Sequence, residues 1–504
     1  MQNPAKTMAP GAYCSGRPFF GGEGFLIKTS VDSARHETPR RLKDAEVPPP
    51  ARAPYRLFCS AIVFLLVIAS YPGKAFPQRH ESIVISSAPS PVGSGARAAG
   101  VGSAFIAVAD DATAASWNPA GLIQLERPEV SAVGSFYYQW DDIHSVSFDE
   151  NSSIAADRSS TEGLDLNFLS VAYPFQLLDR NWVISLNYQR QMDFNRDLHF
   201  VVDRDVQIGT EPVKYTGNVA MEQKGGLGAV SPALAVQIVP RLSIGVALNF
   251  WMDEFYKDFA WERETTLTSS FGNAAAESVE SLTVERDTYK DFDGTNATFG
   301  LLWEAYKGLS FGAFFELGFS ADVKRHIYFM SQSNGDINRD SYSEEIKVDL
   351  PNSFGLGFSM RFTDSFMMTM DYTHVFWQDF VFTTNAGRFD VQGLPMEESD
   401  IDGTHTVRIG AEYLWILDRM VLPFRGGAFY DPQPAEGGSK DYFGFSLGSG
   451  LILKHFSLDW AYQIRIGLDD TESNLLNILG TGAFEDVPVD AFQHLFLLST
   501  VVPF

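Results

Sequence analysis

Three histidines, His374, His405 and His494, carry the side chains best suited to general-base or nucleophile-activating chemistry in this chain. Neither a nucleophile elbow nor a His-Glu metal motif accompanies them. We therefore assign no catalytic, metal or cofactor site and expect no enzyme. A second set of charges falls on the small or polar face of otherwise apolar stretches: Glu316, Arg361, Asp371, Arg408, Glu412, Arg425, Asp459 and Arg465. Mixed sign suits pairing between neighbours, because an unpaired buried ion is costly. A third feature, "DDATAASWNPAGL" from Asp110 to Leu122, is compact and alanine-rich. Asp110 and Asp111 can cap a short helix running to Trp117. Pro119 stops it, since it lacks an N–H and its ring clashes with the preceding turn.

The elements that position these residues are strands. "LSIGVALNF" from Leu242 sets Leu242, Ile244, Val246, Leu248 and Phe250 against Ser243, Gly245, Ala247 and Asn249. "FSLDWAYQIRIG" from Phe456 and "FGLGFSMRF" from Phe354 repeat the pattern. A soluble sandwich would bury the bulky face; a membrane barrel would turn it to lipid. Connection lengths decide between them. Fourteen candidate strands begin near Glu129, Gly163, Asn181, Gly225, Arg241, Gly294, Gly308, Leu350, Ser365, Thr404, Met420, Tyr442, Phe456 and Ala491. Short links alternate with long polar ones around 140–162, 193–224, 254–293, 320–349, 378–403 and 468–490. That parity describes an all-β, single-chain antiparallel transmembrane barrel of about fourteen strands, with turns at one end and long loops at the other. Trp140, Trp251 and Trp377 at the loop end, and Trp182, Trp303 and Trp415 at the turn end, are expected to form interfacial girdles. The final segment puts Phe496, Leu498, Thr500 and Val502 in one lipid-facing row ending at Phe504.

Residues 1–75 carry ten Lys and Arg against five Asp and Glu, leaving 28 against 58 for the rest. An acidic chain of this kind is a poor match for nucleic acid. Cys14 and Cys59 both fall in the basic leader, where Arg52 and Arg56 precede an apolar run from Leu57 to Ser70. That run is too short to span a bilayer core of about 30 Å as a helix, so it reads as a cleaved signal peptide. The expected organisation is a leader over 1–75, a small-residue plug over 76–128, and a barrel over 129–504.

"GARAAGVGSAFIAVADDATAASWNPAGL", running into "ERPEVSAVGSFYY", resembles the N-terminal hatch and first strand of the FadL/TodX family of outer-membrane transporters. The match covers roughly residues 93–138. It implies a monomeric barrel closed by a hatch, with Asp110, Asp111, Asn118, Pro119 and Ala120 in the gating element. It also implies uptake of hydrophobic small molecules, such as long-chain fatty acids or aromatic hydrocarbons, with sideways release into the membrane. Loop aromatics Phe255, Tyr256, Phe259 and Trp261 then become candidates for capture. Arg361, Arg408, Arg425 and Arg465 become candidate lumen charges, one of which could meet a carboxylate. The implied surroundings are outer-membrane lipid, lipopolysaccharide and a barrel-assembly machinery that recognises Phe504. Alternatives are an accessory barrel for secretion or surface attachment, and a barrel-embedded lipid hydrolase.

Overall fold

The computed structural model describes residues 94–504, apart from 150–151, 156–157, 209–210, 255–256, 274–275, 436–437 and 473–486. The leader and signal peptide of 1–75, the start of the hatch at 76–93, and Phe255 and Tyr256 all lie outside the described residues.

Fourteen strands form the wall. They are β1 Glu129–Ile143, β2 Arg158–Leu177, β3 Arg180–Asp193, β4 Glu211–Val239, β5 Leu242–Asp253, β6 Ala276–Tyr306 and β7 Leu309–Glu316. The series continues with β8 Ser353–Thr363, β9 Phe366–Val375, β10 Thr404–Ile416, β11 Val421–Tyr430, β12 Tyr442–Ile452, β13 Ser457–Glu472 and β14 Val487–Pro503. Each pairs antiparallel with the next. The circle closes through β14 on β1, from Glu129↔Pro503 to Ile143↔Val489. Closure satisfies the wall's backbone groups from within, as a hydrocarbon surrounding demands.

The two faces of each strand settle the choice left open by periodicity. On β5, Ser243, Ala247 and Asn249 are buried, while Ile244, Leu248 and Phe250 are 43%, 45% and 48% exposed. Leu356, Phe358, Leu447, Phe496, Leu498 and Val502 are exposed in the same way. Small and polar residues thus line the interior and bulky apolar ones cover the outside, the inverse of a water-soluble sandwich.

The long connections differ from expectation. Among the described residues, much of the connections from 140–162 to 378–403 is not polar loop but a second antiparallel sheet, in which β4 and β6 run on beyond the wall; most of 468–490 lies outside the described residues. Its strands pair in the order Val146–Asp149, Ser152–Ala155, Arg196–Ile208, β4, Trp261–Asn273, β6, Phe319–Ser333, Asp336–Leu350, Val381–Thr384 and Gly387–Phe389. Their charges hide a period of two. In Arg196–Ile208, Leu198, Phe200 and Val202 are buried against Ile143, Ile154, Val219 and Met221, while Asp197, His199, Asp203 and Asp205 take the other face.

The girdle expectation fails at two positions. Trp303 and Trp415 are about half exposed at the turn end, as a girdle requires. Trp251 and Trp377, however, are only 4% and 1% exposed. Trp251 shares the phase of Ser243 and Asn249, so its ring turns inward and its Nε1–H donates to Asn296 Oδ1 at 2.9 Å. Trp377 sits in a 3-10 turn, Trp377–Asp379, and donates to Thr404 Oγ1 at 3.1 Å.

Candidate functional site

The interior is closed by the segment from Ser94 to the start of β1. Its ordered pieces are small: α1 Ala96–Gly100, α2 Ala114–Trp117 and a 3-10 helix, Pro119–Gln124. Such short helices have no independent stability, so contacts with the wall must hold them. Those contacts are dense. Ala96 N–H donates to Ser499 Oγ (2.6 Å), Gln463 Nε2 donates to Ala99 O (2.9 Å), and Ser446 Oγ donates to Gly100 O (3.1 Å). The wall is also shaved to admit the hatch backbone. A Cβ at Gly410 would stand 2.1 Å from Val101 O, and one at Gly300 would stand 2.3 Å from Asn118 Oδ1.

The gating element is built differently from the capped helix expected. Asp111 does not cap a helix to Trp117. Its Oδ1 accepts the N–H (2.9 Å) and hydroxyl of Thr113, and it is Thr113 that precedes the four-residue α2. Asp110 instead pairs with Arg97. Pro119 ends α2 and also opens the 3-10 helix at its first position, where a missing N–H costs nothing. Asn118 is fully buried and works in three directions. Its amide donates to Ile106 O (2.9 Å) and to Leu301 O on β6 (3.0 Å), while its Oδ1 accepts from Ala120 N (3.2 Å).

Charges tie plug to wall. Arg97 donates to both oxygens of Glu412 at 3.1 Å, and Glu412 also accepts from Arg425 at 2.7 Å. Arg425 reaches Asp459 at 2.6 Å. The row Asp110–Arg97–Glu412–Arg425–Asp459 therefore runs from hatch to β13. On the neighbouring strand β9, Asp371 Oδ2 accepts the backbone N–H groups of Phe105 (2.5 Å) and Ile106 (2.8 Å). Arg408 and Arg465 both bond Asp431, at 3.4 and 3.3 Å. Arg361 departs from the other three candidate arginines. It keeps the inward phase but lies exposed at the short-turn rim, because the interior ends there.

Next to the hatch is a small cavity, part of it open to solvent. Ser103, Ile106, Ala115, Ser116 and Trp117 line it from the plug. Gln189, Gln191, Asn249, Thr298, Phe314, Glu316, Asp371, Thr373 and Arg408 line it from the wall. At the long-connection end lies an apolar cluster that includes Phe194, Trp251, Trp261, Tyr289, Phe292, Trp377, Phe380 and Phe382. Trp261, a candidate for capture, is 1% exposed and stacked on Tyr289 at 4.2 Å, so here it packs the cluster rather than presenting a ring. Phe259 is half-buried.

Among the described residues, the wall has an unladdered interval beside β3. β2 pairs with β1 over Arg158–Ala172, but its pairing with β3 stops at Phe168↔Gln189. Beyond that point β3 bonds only β4, with a bulge between Arg190 and Met192. Arg190, 1% exposed, spans the interval to Asp165 at 2.8 Å and also pairs with Asp193 (2.8 Å) and Glu254. Neither Arg97 nor Arg190 was singled out by sequence. Arg97 had a legible signal: it is a lone charge in a Gly/Ala run bound for a closed interior.

The three histidines lie on the outer face. Tyr372 bonds His405 at 2.7 Å, Tyr462 bonds His494 at 2.6 Å, and the His374 and His405 rings lie tilted to each other with centroids 4.5 Å apart. A Gly-x-Ser-x-Gly run does occur at Gly444–Gly448, but it is mid-strand in β12, and Ser446 there is spent on the hatch.

Residues 91–443 match the family described as Outer membrane protein transport protein (OMPP1/FadL/TodX). Among solved structures, the chain is similar to a Pseudomonas aeruginosa FadL homologue at 13% identity and TM-score 0.53, covering 84% of this chain and 100% of that one. It is also similar to the Pseudomonas putida toluene transporter TodX at 14% identity and TM-score 0.50, covering 81% and 97%. At these identities the likeness shows the fold. No curated protein matches the chain at the sequence level. The family match spans most of the barrel and the hatch, and on that ground the chain belongs to the FadL/TodX family of outer-membrane transporters of hydrophobic compounds.

Proposed function

We propose that the protein takes up hydrophobic small molecules, in the range from long-chain fatty acids to aromatic hydrocarbons, and releases them sideways through its wall. The observation that carries this reading is the order of the interior: an aromatic cluster at the loop end, then a cavity floored by the hatch. Apolar solutes need such a shielded, concave path across a polar outer leaflet. Sideways release is supported by the interval between β2 and β3, where no backbone ladder has to be broken. Asp110, Asp111, Asn118, Pro119 and Ala120 act as the gate, and Phe259 belongs to the capture surface. The working unit is a monomer surrounded by lipid and lipopolysaccharide, and Phe504 addresses it to the assembly machinery. The family's toluene-transporting member supports the aromatic end of the range.

Uptake of labelled oleate and labelled toluene is to be compared in cells with and without the gene. Faster entry of either, abolished by a disulfide locking the hatch to β6, is expected. Equal entry with and without the protein would sink the transport reading.

A further inference from the structure

The interval beside β3 is a window with definite limits. Toward the turn end, the β2–β3 ladder begins at Phe168↔Gln189. Toward the loop end, side chains take up the edge of β2: Thr161 Oγ1 accepts the N–H of Asp197 (2.8 Å) and Ser159 Oγ accepts that of His199 (2.7 Å). Between these limits Gly163 to Asn167 carry no ladder to β3, roughly 13 Å of strand at about 3.3 Å per residue. Gln189 and Gln191 on the β3 bank also line the cavity beside the hatch. Leu164 on the β2 bank is 82% exposed and shares the outward phase of its partner Phe136. The window therefore lies between the interior and the lipid face.

Arg190 crosses it. Its Nη1 stands 2.8 Å from Asp165 Oδ2 on β2 and 2.8 Å from Asp193 Oδ2 on its own strand, while Nε pairs with Glu254 just past β5. The bonding is lopsided: two carboxylates lie on the β3 bank and one, Asp165, on the β2 bank. When the bond to Asp165 breaks, the guanidinium keeps Asp193, Glu254 and the carbonyl of Gly225 (3.3 Å), so its buried charge stays matched. A glycine makes room for that arrangement. A Cβ at Gly226 would stand 2.7 Å from Glu254 Oε1 and 3.1 Å from Arg190 Nε. We propose that the Arg190–Asp165 bond is the bar across the sideways exit, and that its opening toward Asp193 and Glu254 sets the rate at which a passenger leaves for the membrane.

This inference rests on the transport reading and names the contact that regulates its last step. Uptake of labelled oleate and labelled toluene by cells carrying the full chain tests it. Asp165→Ala removes the acceptor on the β2 bank and should speed entry about tenfold, the scale of one hydrogen bond to a charged group. Hydrogen exchange over 190–193 should stay as in the unaltered chain, because Arg190 retains its other carboxylates. A second pair of substitutions straps the window shut. A Cβ at Gly163 would stand 3.9 Å from Asn195 Nδ2 on the opposite bank. Gly163→Cys with Asn195→Cys, bridged by a short bifunctional methanethiosulfonate, should halt entry until a reductant is added. The same bridge should cancel the gain in Asp165→Ala, with each single cysteine variant as control. Heat-modifiable gel mobility checks that a barrel forms, and the bridged pair in the otherwise unaltered chain decides the matter even if Asp165→Ala fails to assemble. Entry unchanged or slowed in Asp165→Ala, or unchanged by the bridge, overturns the inference and leaves uptake standing. Entry no faster with the unaltered protein than without it brings down both readings.

Discussion

At the scale of single residues, Asn118 joins plug and wall most economically. One amide group serves two carbonyls, Ile106 O on the hatch and Leu301 O on the barrel, while its oxygen orders Ala120. Asn118→Ala leaves those buried groups unmatched, at about 1–3 kcal/mol each. Single-channel conductance should rise, and the folded barrel band on gels should persist, since Asn118 lies outside the wall. Gly410→Ala makes the same point from the other side without deleting a bond. Its Cβ would stand 2.1 Å from Val101 O, so either the hatch or β10 must shift. Conductance unchanged in both variants would mean that these contacts only pack. The Asn-Pro-Ala run was visible in the sequence because its chemistry is local: a side-chain acceptor, then a residue without an N–H. Its second partner, Leu301, lies 183 positions away, and no local pattern reports such a pairing.

At the scale of elements, the interval beside β3 is held by side chains where the ladder is absent. Arg190 gathers Asp165, Asp193 and Glu254, and Lys257 adds a second cation at 2.8 Å from Glu254. Arg190→Ala leaves converging buried carboxylates, a change that costs about 3–5 kcal/mol where a buried pair loses one partner. Hydrogen exchange over 190–193 should accelerate while β9 and β10 stay protected. Equal protection in the variant would show that Arg190 does not hold the interval. Burial alone would raise the Glu254 carboxyl, but Arg190 and Lys257 outweigh it and hold its pKa below the usual value. The resulting stability is complete above the ordinary glutamate range and is lost as pH falls through the lowered folded value. Protection factors at this interval, corrected for the intrinsic pH dependence of exchange, should therefore fall in acid and recover at neutral pH. The wall strands themselves were legible from alternation and connection parity, as β5 and β8 illustrate. The strands of the second sheet were not. In Asp336–Leu350 the first eight residues are exposed or nearly so on both faces, so no period of two marks them. Trp251 shows the opposite case: its inward phase could be counted from Asn249, but its place at a strand end suggested a girdle.

At the scale of the whole molecule, the outside is a solvent-matched surface for hydrocarbon. Leu248 is 45% exposed on β5, in line with Ile244 and Phe250. Leu248→Arg should cost about 2–4 kcal/mol near the middle of the bilayer, and Ala247→Ser on the inner face much less. Folding into vesicles, followed by gel mobility against urea, separates the two. Similar losses for both would contradict the assignment of faces. The seam of the wall has a further consequence. β14 bonds β1 along fifteen registered pairs, and the amide of Phe504 donates to Pro128 O, at the joint between plug and wall, at 2.9 Å. The plug leads directly into β1 at Pro128–Glu129, so a single covalent tether at the seam holds it to the wall. A hatch displaced from its wall contacts would therefore stay leashed beside β1 and β14 rather than leave the barrel.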